Sequence, residues 1–241
     1  MDLGIEGRVA LVTAGSRGLG RASAEALAAE GARIMLSSRD PEALAATRDA
    51  LRASGADVEC VAADITDPVT PTALVAATVS AFGTVDIVVA NAGGPPAGRA
   101  LDLGDAALES AFEANCLTAV RLTRQALPAM RERGWGRLCF ITSYSVVQPV
   151  PTLALSNTAR VALWAWAKTA AHDLGSEKSG VTLNLVCPGP HATDRMRELG
   201  GAEVMGAPED FGAVVAFLCS RQAGFINGAA VVVDGGATLA L

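Results

Sequence analysis

A glycine-rich segment near the N-terminus carries the clearest chemical pattern in the chain. Residues 13–20 read Thr-Ala-Gly-Ser-Arg-Gly-Leu-Gly, between a β-branched run and an alanine-rich stretch. After a strand and at the start of a helix, glycines allow a tight turn and a close approach to a pyrophosphate, which the free N–H groups of the helix bind. A simple helix-start turn is the alternative. The predicted phosphate contacts are Gly15, Ser16, Arg17, Gly18, Leu19 and Gly20.

The charges that follow the second apolar run indicate which dinucleotide binds. A carboxylate there would accept hydrogen bonds from a ribose 2′-hydroxyl, whereas an arginine accommodates a 2′-phosphate. The chain has Ser38 and Arg39 at this place, with Arg17 in the glycine loop. Because guanidinium groups pair well with phosphate oxygens, these residues favour NADP(H) over NAD(H). Asp40 is a signal against this preference, and a solvated surface role for Arg39 is the alternative.

The elements that must position these loops alternate along the chain. Strands are predicted at 8–13, 33–37, 58–62, 86–90, 136–142, 181–186 and 230–233, and helices at 20–30, 41–54, 71–82, 108–133, 156–175 and 208–218. The strands are continuous apolar runs, which predicts a parallel sheet that is buried on both faces. The predicted fold class is α/β, with residues 1–241 as one dinucleotide-binding domain. It is a Rossmann-type doubly wound parallel sheet of about seven strands with helices on both faces.

Composition excludes several classes of function. A net charge of −6 argues against nucleic acid as a partner, and the apolar runs are too short to span a membrane. No basic signal-peptide start is present, so a cytoplasmic location is expected. The five cysteines form no C-x-x-C pair, their odd number argues against a disulfide framework, and no metal site is predicted.

Further short motifs follow the later predicted strands and helices: Asp64-Ile65, Asn91-Ala92-Gly93, Asn115, Ser143, and Pro188-Gly189 with Thr193. With the glycine loop, they resemble the short-chain dehydrogenase/reductase family over essentially the whole chain, and within it the 3-oxoacyl-acyl-carrier-protein reductases. One departure is Ala14, which stands where the family has its first glycine. Since alanine tolerates positive φ poorly, the turn is expected to be reshaped.

The resemblance implies roles for these motifs. Asp64-Ile65 would lie beside the adenine, the Asn91 and Pro188 motifs with Thr193 would contact the cofactor, and Asn115 and Ser143 would support catalysis. The family's proton donor is a tyrosine thirteen residues after the serine, with a lysine four residues further on. This chain has Ser156 and Arg160 there. Serine is a much weaker acid than a phenol, and Arg160 is expected to hold the nicotinamide ribose without exchanging a proton at neutral pH.

Two other residues are candidates for the missing donor. Tyr144 is the only tyrosine and directly follows Ser143. Alternation along a strand would turn its side chain away from the site unless the chain has already turned. His191, in the loop after Pro188, would titrate near neutrality, with an ordinary surface position as the alternative.

The predicted function is an NADP(H)-dependent oxidoreductase that transfers hydride between nicotinamide and a small-molecule carbonyl, imine or enone substrate. An iminium substrate would need no strong acid. The alternatives are a nucleotide-binding protein with a regulatory or scaffolding role, and a non-redox enzyme such as a dehydratase or cyclase on the same fold. The segment 194–207 predicts a short flap over the substrate. The resemblance further implies a homodimer or homotetramer.

Overall fold

Seven parallel strands form one sheet in the computed structural model, which describes residues 1–240. The strands are Val9–Thr13 (β1), Arg33–Ser38 (β2), Val58–Ala62 (β3), Ile87–Ala90 (β4), Gly136–Ile141 (β5), Val181–Pro188 (β6) and Ala230–Val233 (β7). Their order in the sheet is β3-β2-β1-β4-β5-β6-β7, and every neighbouring pair is parallel. The predicted doubly wound fold class is therefore confirmed.

Both faces of the sheet are covered, as the continuous apolar runs predicted. Every residue of β1 and β5 is buried, whereas the edge strand β3 is partly exposed. Side chains alternate between the faces along each strand. On β1, Leu11 belongs to one core cluster and Val12 to the other.

Helices cover the two faces in sets of three. The Val12 face is covered by Gly18–Ala29 (α1), Pro41–Ala53 (α2) and Pro208–Leu218 (α8). The Leu11 face is covered by Thr70–Phe82 (α3), Thr118–Glu132 (α5) and Ala154–Ser176 (α6). Two shorter helices, Asp105–Phe112 (α4) and Asp194–Glu198 (α7), belong to neither set and contribute no residue to the two core clusters. Within the described residues, no helix is long and apolar enough to cross a bilayer.

The predicted helix over 108–133 is wrong in one respect, because it is not continuous. A π-helical segment, Glu113–Leu117, separates α4 from α5, and the N–H of Thr118 bonds to the carbonyl of Glu113 five residues back. A π-turn inserts one residue and occurs frequently at functional sites. The spacing of apolar residues along a helix does not reveal a single added residue, so the sequence pattern did not predict this π-helical segment.

The strand order reverses between β1 and β4, and hydrogen bonds join their ends at that point. The Thr13 hydroxyl donates to the carbonyl of Asn91 at 2.7 Å and accepts from the Asn91 N–H at 2.9 Å. Open α/β sheets bind ligands in the crevice outside the carboxyl ends of the strands where the order reverses. The candidate site therefore lies above Thr13 and Asn91.

Candidate active site

The glycine loop after β1 keeps a left-handed turn at the position where alanine replaces glycine. Ala14 has a φ of +46° and Gly18 a φ of +55°. For a residue with a Cβ, the left-handed conformation costs about 1–2 kcal/mol. Ala14 therefore adopts the left-handed conformation at a cost in backbone strain.

The first turn of α1 is built to receive an anion. No side chain caps the helix at Arg17, and no acidic residue lies in its first turn, so its N–H groups are free and its positive dipole end is not neutralised. The backbone at Gly20 also packs closely against its neighbours, since a Cβ there would lie 2.3 Å from the Ala14 carbonyl oxygen and 2.8 Å from Asn91 Nδ2. These features fit the pyrophosphate of a dinucleotide.

Asp40 is already engaged within the protein. Its Oδ1 accepts from the Ala43 N–H at 3.1 Å and caps α2, and its Oδ2 pairs with Arg17 Nη2 at 2.6 Å. Arg39 is exposed, and no described carboxylate lies within 4 Å of it as an ion-pair partner. The end of β2 thus presents Arg39 as a free cation next to an occupied carboxylate.

Asp64 lies on the same side of the crevice. Hydrogen bonds from the backbone N–H and hydroxyl of Thr66, at 3.0 and 2.8 Å, lower the pKa of its carboxyl, and the charge of Arg39 adds to this effect. Ile65 packs against the core on the Leu11 face of the sheet. The Asp64-Ile65 pair is thus held as a fixed anion beside an apolar surface.

Ser156 and Arg160 meet at the other end of the crevice. Both are buried, with 8% and 7% of their surface exposed. Arg160 donates through Nε to Ser156 Oγ at 3.1 Å and through Nη1 to the carbonyl of Ile141, the last residue of β5, at 3.1 Å. Among the described residues, no acceptor for its Nη2 and no carboxylate within 4 Å is found.

The surroundings of Arg160 make it an unusually acidic guanidinium. Burial lowers its pKa to about 10, the Cys187 thiol acts in the opposite direction, and the positive charge of Arg195 adds a smaller lowering effect. The group still carries its charge at neutral pH. The site therefore contains a buried cation whose charge no carboxylate balances.

Ser143 and Tyr144 lie where the chain leaves β5. Ser143 Oγ accepts from the Ser145 N–H at 3.1 Å and caps a 3-10 helix, Tyr144–Val146. Because the chain has already turned, strand alternation no longer decides where Tyr144 points. Its side chain is half-buried, and no described residue is hydrogen-bonded to its hydroxyl.

Asn115 occupies the π-helical segment. Its Nδ2 donates to the carbonyl of Ala111 at 3.3 Å, whereas its buried Oδ1 has no partner among the described residues. Leaving a buried acceptor unpaired costs about 1–3 kcal/mol. Such an atom fits a group that completes its hydrogen bond only when a ligand or a water is bound.

His191 is buried and not at the surface. Its Nδ1 lies 3.0 Å from the carbonyl oxygen of Gly189, and its ring packs edge-on against Phe211 of α8 at 5.3 Å. Backbone hydrogen bonds between Gly206 and both Pro190 and Ala192 hold this segment in place. The imidazole is thus part of the packing beneath the flap.

The flap is short and is tied to the opposite wall of the crevice. Thr193 caps α7 through a hydrogen bond from the Met196 N–H at 3.3 Å. From α7, Arg195 donates through Nη2 to the carbonyl of Pro95 at 2.7 Å, in the loop that follows Asn91-Ala92-Gly93. Sequence reasoning missed Arg195, since an arginine in a polar flap carries no signal of its own.

Pro188-Gly189 closes the crevice at the end of β6. A Cβ on Gly189 would lie 2.4 Å from the Asp234 Cβ, so the loop needs glycine there.

In the part of the chain described, no three His, Cys, Asp or Glu side chains are grouped as metal ligands. Of the five cysteines, all free, four are buried, and burial raises the pKa of Cys116 to about 11.

Comparisons with known proteins agree with this geometry. A family profile described as enoyl-(acyl carrier protein) reductase matches residues 13–238. The dehydrogenase/reductase SDR family member 4 of Sus scrofa is 32% identical over 96% of this chain and 88% of its own length. The 3-oxoacyl-[acyl-carrier-protein] reductase FabG of Escherichia coli (strain K12) is 32% identical over 97% of this chain and 98% of its own.

Two solved structures with bound cofactors superpose closely on the fold. L-sorbose reductase from Gluconobacter frateurii, complexed with NADPH and L-sorbose, has a TM-score of 0.92 and 32% identity, covering 100% of both chains. A 7 alpha-hydroxysteroid dehydrogenase complexed with NADH has a TM-score of 0.92 and 26% identity, covering 98% of this chain and 96% of its own.

The close approach at Gly20 gives a first test of the cofactor site. In Gly20→Ala, the new methyl group must displace the Ala14 carbonyl, so we expect a loss of about 1–3 kcal/mol in stability and about tenfold weaker dinucleotide binding. Thermal unfolding and NADPH fluorescence titration measure the two effects. Gly104→Ala is the matched control, because a Cβ there meets no atom within 4 Å. Equal behaviour of the two variants would contradict the assignment.

Proposed function

The chain belongs to the short-chain dehydrogenase/reductase family, and we propose that it is an NADPH-dependent reductase that acts on the carbonyl group of a small molecule. The observation that carries this proposal is the buried guanidinium of Arg160, which no carboxylate neutralises, at the end of β5. A positive group fixed in a site of low polarity stabilises an oxygen on which negative charge develops.

The residues of the crevice fit a dinucleotide in one orientation. The first turn of α1, from Ser16 to Gly20, would hold the pyrophosphate, and Asp64-Ile65 would contact the adenine. Asn91-Ala92-Gly93, Pro188-Gly189 and Thr193 would line the nicotinamide half. When bound there, NADPH would supply a hydride.

The preference for NADPH rests on the residues after β2. Two known relatives differ in the cofactor they hold, NADPH in one and NADH in the other, so the choice depends on this chain's own side chains. Asp40 is occupied by Arg17 and by the α2 cap, and so is poorly placed to accept from a ribose 2′-hydroxyl. Arg39 is free to pair with a 2′-phosphate.

The charge at Arg160 favours a neutral carbonyl or enone substrate over an iminium ion. Two cations brought together away from bulk water repel each other strongly. A carbonyl oxygen gains negative charge as hydride arrives at its carbon, and the guanidinium attracts it. Of the substrates that the sequence left open, an iminium ion is therefore the least compatible with this site.

The non-redox alternatives explain the site less well. A protein that only bound a nucleotide could use Arg160 to hold a ribose, but it would gain nothing from the unpaired Asn115 Oδ1, which is costly to bury. Both groups are explained if a polar substrate or a water completes their hydrogen bonds during turnover. We therefore place Asn115 and Ser143 as polar support around the reacting group.

An apolar face on α4 and α6 supports self-association. Leu108 and Phe112 lie one turn apart on α4, Val161 lies on α6, and all three are exposed. The two helices pack against each other. We propose that a second copy of the chain covers this face in a homodimer or homotetramer. We also propose the cytoplasmic location that the sequence analysis predicts.

A hydride-transfer experiment tests the function directly. The NADPH-loaded protein is mixed by stopped flow with a panel of ketones, enones and imines, and absorbance of the reduced nicotinamide is followed. We expect oxidation by at least one ketone or enone and none by iminium ions. Tight NADPH binding without oxidation by any carbonyl of the panel would contradict the reductase and favour a binding protein.

Cofactor choice is tested at Arg39. Because a guanidinium bonded to a phosphate contributes more than one facing a hydroxyl, Arg39→Ala should weaken NADPH binding about tenfold and leave NADH binding nearly unchanged. Isothermal titration calorimetry with both dinucleotides measures this. Arg124→Ala, an exposed change on α5, is the control. Equal losses for NADPH and NADH would refute the assignment.

Self-association is tested at Phe112. A carboxylate placed in an apolar interface must be desolvated without a partner, so Phe112→Glu should lower the molecular mass in solution toward that of a monomer. Light scattering coupled to size exclusion gives the mass. Val69→Glu, at an exposed apolar position outside this face, serves as the control. A native chain that is already monomeric would overturn the proposal.

A further inference from the structure

The Ser156–Arg160 pair occupies the place of the proton donor, and its hydrogen bonds leave one donor group free. Anchoring Nε to Ser156 and Nη1 to Ile141 fixes the guanidinium plane, and therefore the position of Nη2, which is bonded to the same carbon. Ser156 accepts from Nε with its oxygen and keeps its own proton for another acceptor. Two donors are thus presented side by side.

From this arrangement we propose that Arg160 is the acid of the site: Nη2 and the Ser156 hydroxyl together hold the substrate's carbonyl oxygen, and Nη2 gives it a proton. This inference rests on the proposed reductase function. It replaces Tyr144 and His191 as donors and adds acid chemistry to the ribose-holding role expected for Arg160.

Burial favours release of the Arg160 proton, and no described carboxylate opposes it. The Cys187 thiol approaches from β6 and the Arg195 guanidinium from α7, and no described carboxylate lies within 4 Å. Losing the proton therefore breaks no ion pair and relieves repulsion from Arg195. Burial brings the pKa of Arg160 to about 10 although the Cys187 thiol raises it, and this value is close to that of an ordinary phenol, about 10.

The step balances without a further reactant. A hydride arriving at the carbonyl carbon forms the new C–H bond and moves the π-electron pair onto oxygen. That oxygen takes a proton from Nη2, so an N–H bond breaks and an O–H bond forms. The neutral guanidine then regains a proton from water.

The proposed acid makes the reaction strongly directional. An alkoxide is a far stronger base than guanidine, so reduction proceeds wherever Arg160 is protonated. Alcohol oxidation needs the neutral guanidine, which is about one molecule in a thousand at pH 7 if the pKa is about 10. The rate of reduction should be independent of pH until it falls near pH 10. The rate of alcohol oxidation should rise about tenfold per pH unit from neutral pH toward pH 10.

Nuclear magnetic resonance tests the acid without any substrate. In NADPH-saturated protein labelled with ¹³C and ¹⁵N arginine, the Arg160 guanidinium is assigned by its absence in Arg160→Lys. We expect its Cζ signal to titrate with a midpoint near pH 10, where the other arginines stay unchanged. An Arg160 signal that does not move up to about pH 11, well below the usual arginine range, would overturn the inference.

Kinetics of both directions give the second readout. Arg160→Met should lower single-turnover reduction of a reactive ketone by about 100-fold or more, and Arg124→Met should leave it unchanged. Arg160→Lys should restore part of the rate and move the pH at which oxidation rises. Thermal unfolding verifies that each variant is folded.

The outcomes separate this inference from the function on which it rests. If no ketone or enone is reduced by the native protein, both fail. If ketones are reduced while Arg160→Met stays within about threefold of native, or while oxidation is independent of pH, the acid assignment alone fails.

Discussion

The hydrogen bonds between Thr13 and Asn91 hold together the crevice in which the candidate site lies. They bridge β1 and β4, the strands between which the order of the sheet reverses, and they fix the ends of both strands at one height. Gly20 then packs against the Ala14 carbonyl and the Asn91 amide, so the start of α1 is set by the same contacts. The proposed phosphate site therefore depends on how the sheet is joined at its centre.

Most of the fold follows from patterns that depend on short stretches of sequence. Buried parallel strands need continuous apolar runs, and the bounds of β3, β7 and α8 agree with those predicted. The π-helical segment Glu113–Leu117 was not predictable in this way, because one inserted residue leaves the apolar period almost unchanged. The short helix α7 also escaped, since five polar residues stabilised by a cap and a distant contact carry no period.

The sequence predicts which residues line the candidate site, but it does not reveal the contacts among them. Charge alone left Asp40 as evidence for NAD(H), and only its bonds to Arg17 and the α2 backbone remove that argument. A loop histidine such as His191 reads as exposed, yet the pairing of its loop with Gly206 turns it inward. Such outcomes depend on residues far apart in sequence, which no local pattern encodes.

Under our proposal, the exchange of the family's tyrosine and lysine for Ser156 and Arg160 changes which residue carries the labile proton and keeps acid chemistry in the site. A lysine lowers the pKa of a neighbouring phenol, whereas here the cation itself is made acidic by burial without a carboxylate. The serine holds the guanidinium through its hydrogen bond and, in this proposal, would share the substrate oxygen. Because an alkoxide accepts a proton from any such donor, reduction tolerates this exchange far better than alcohol oxidation does.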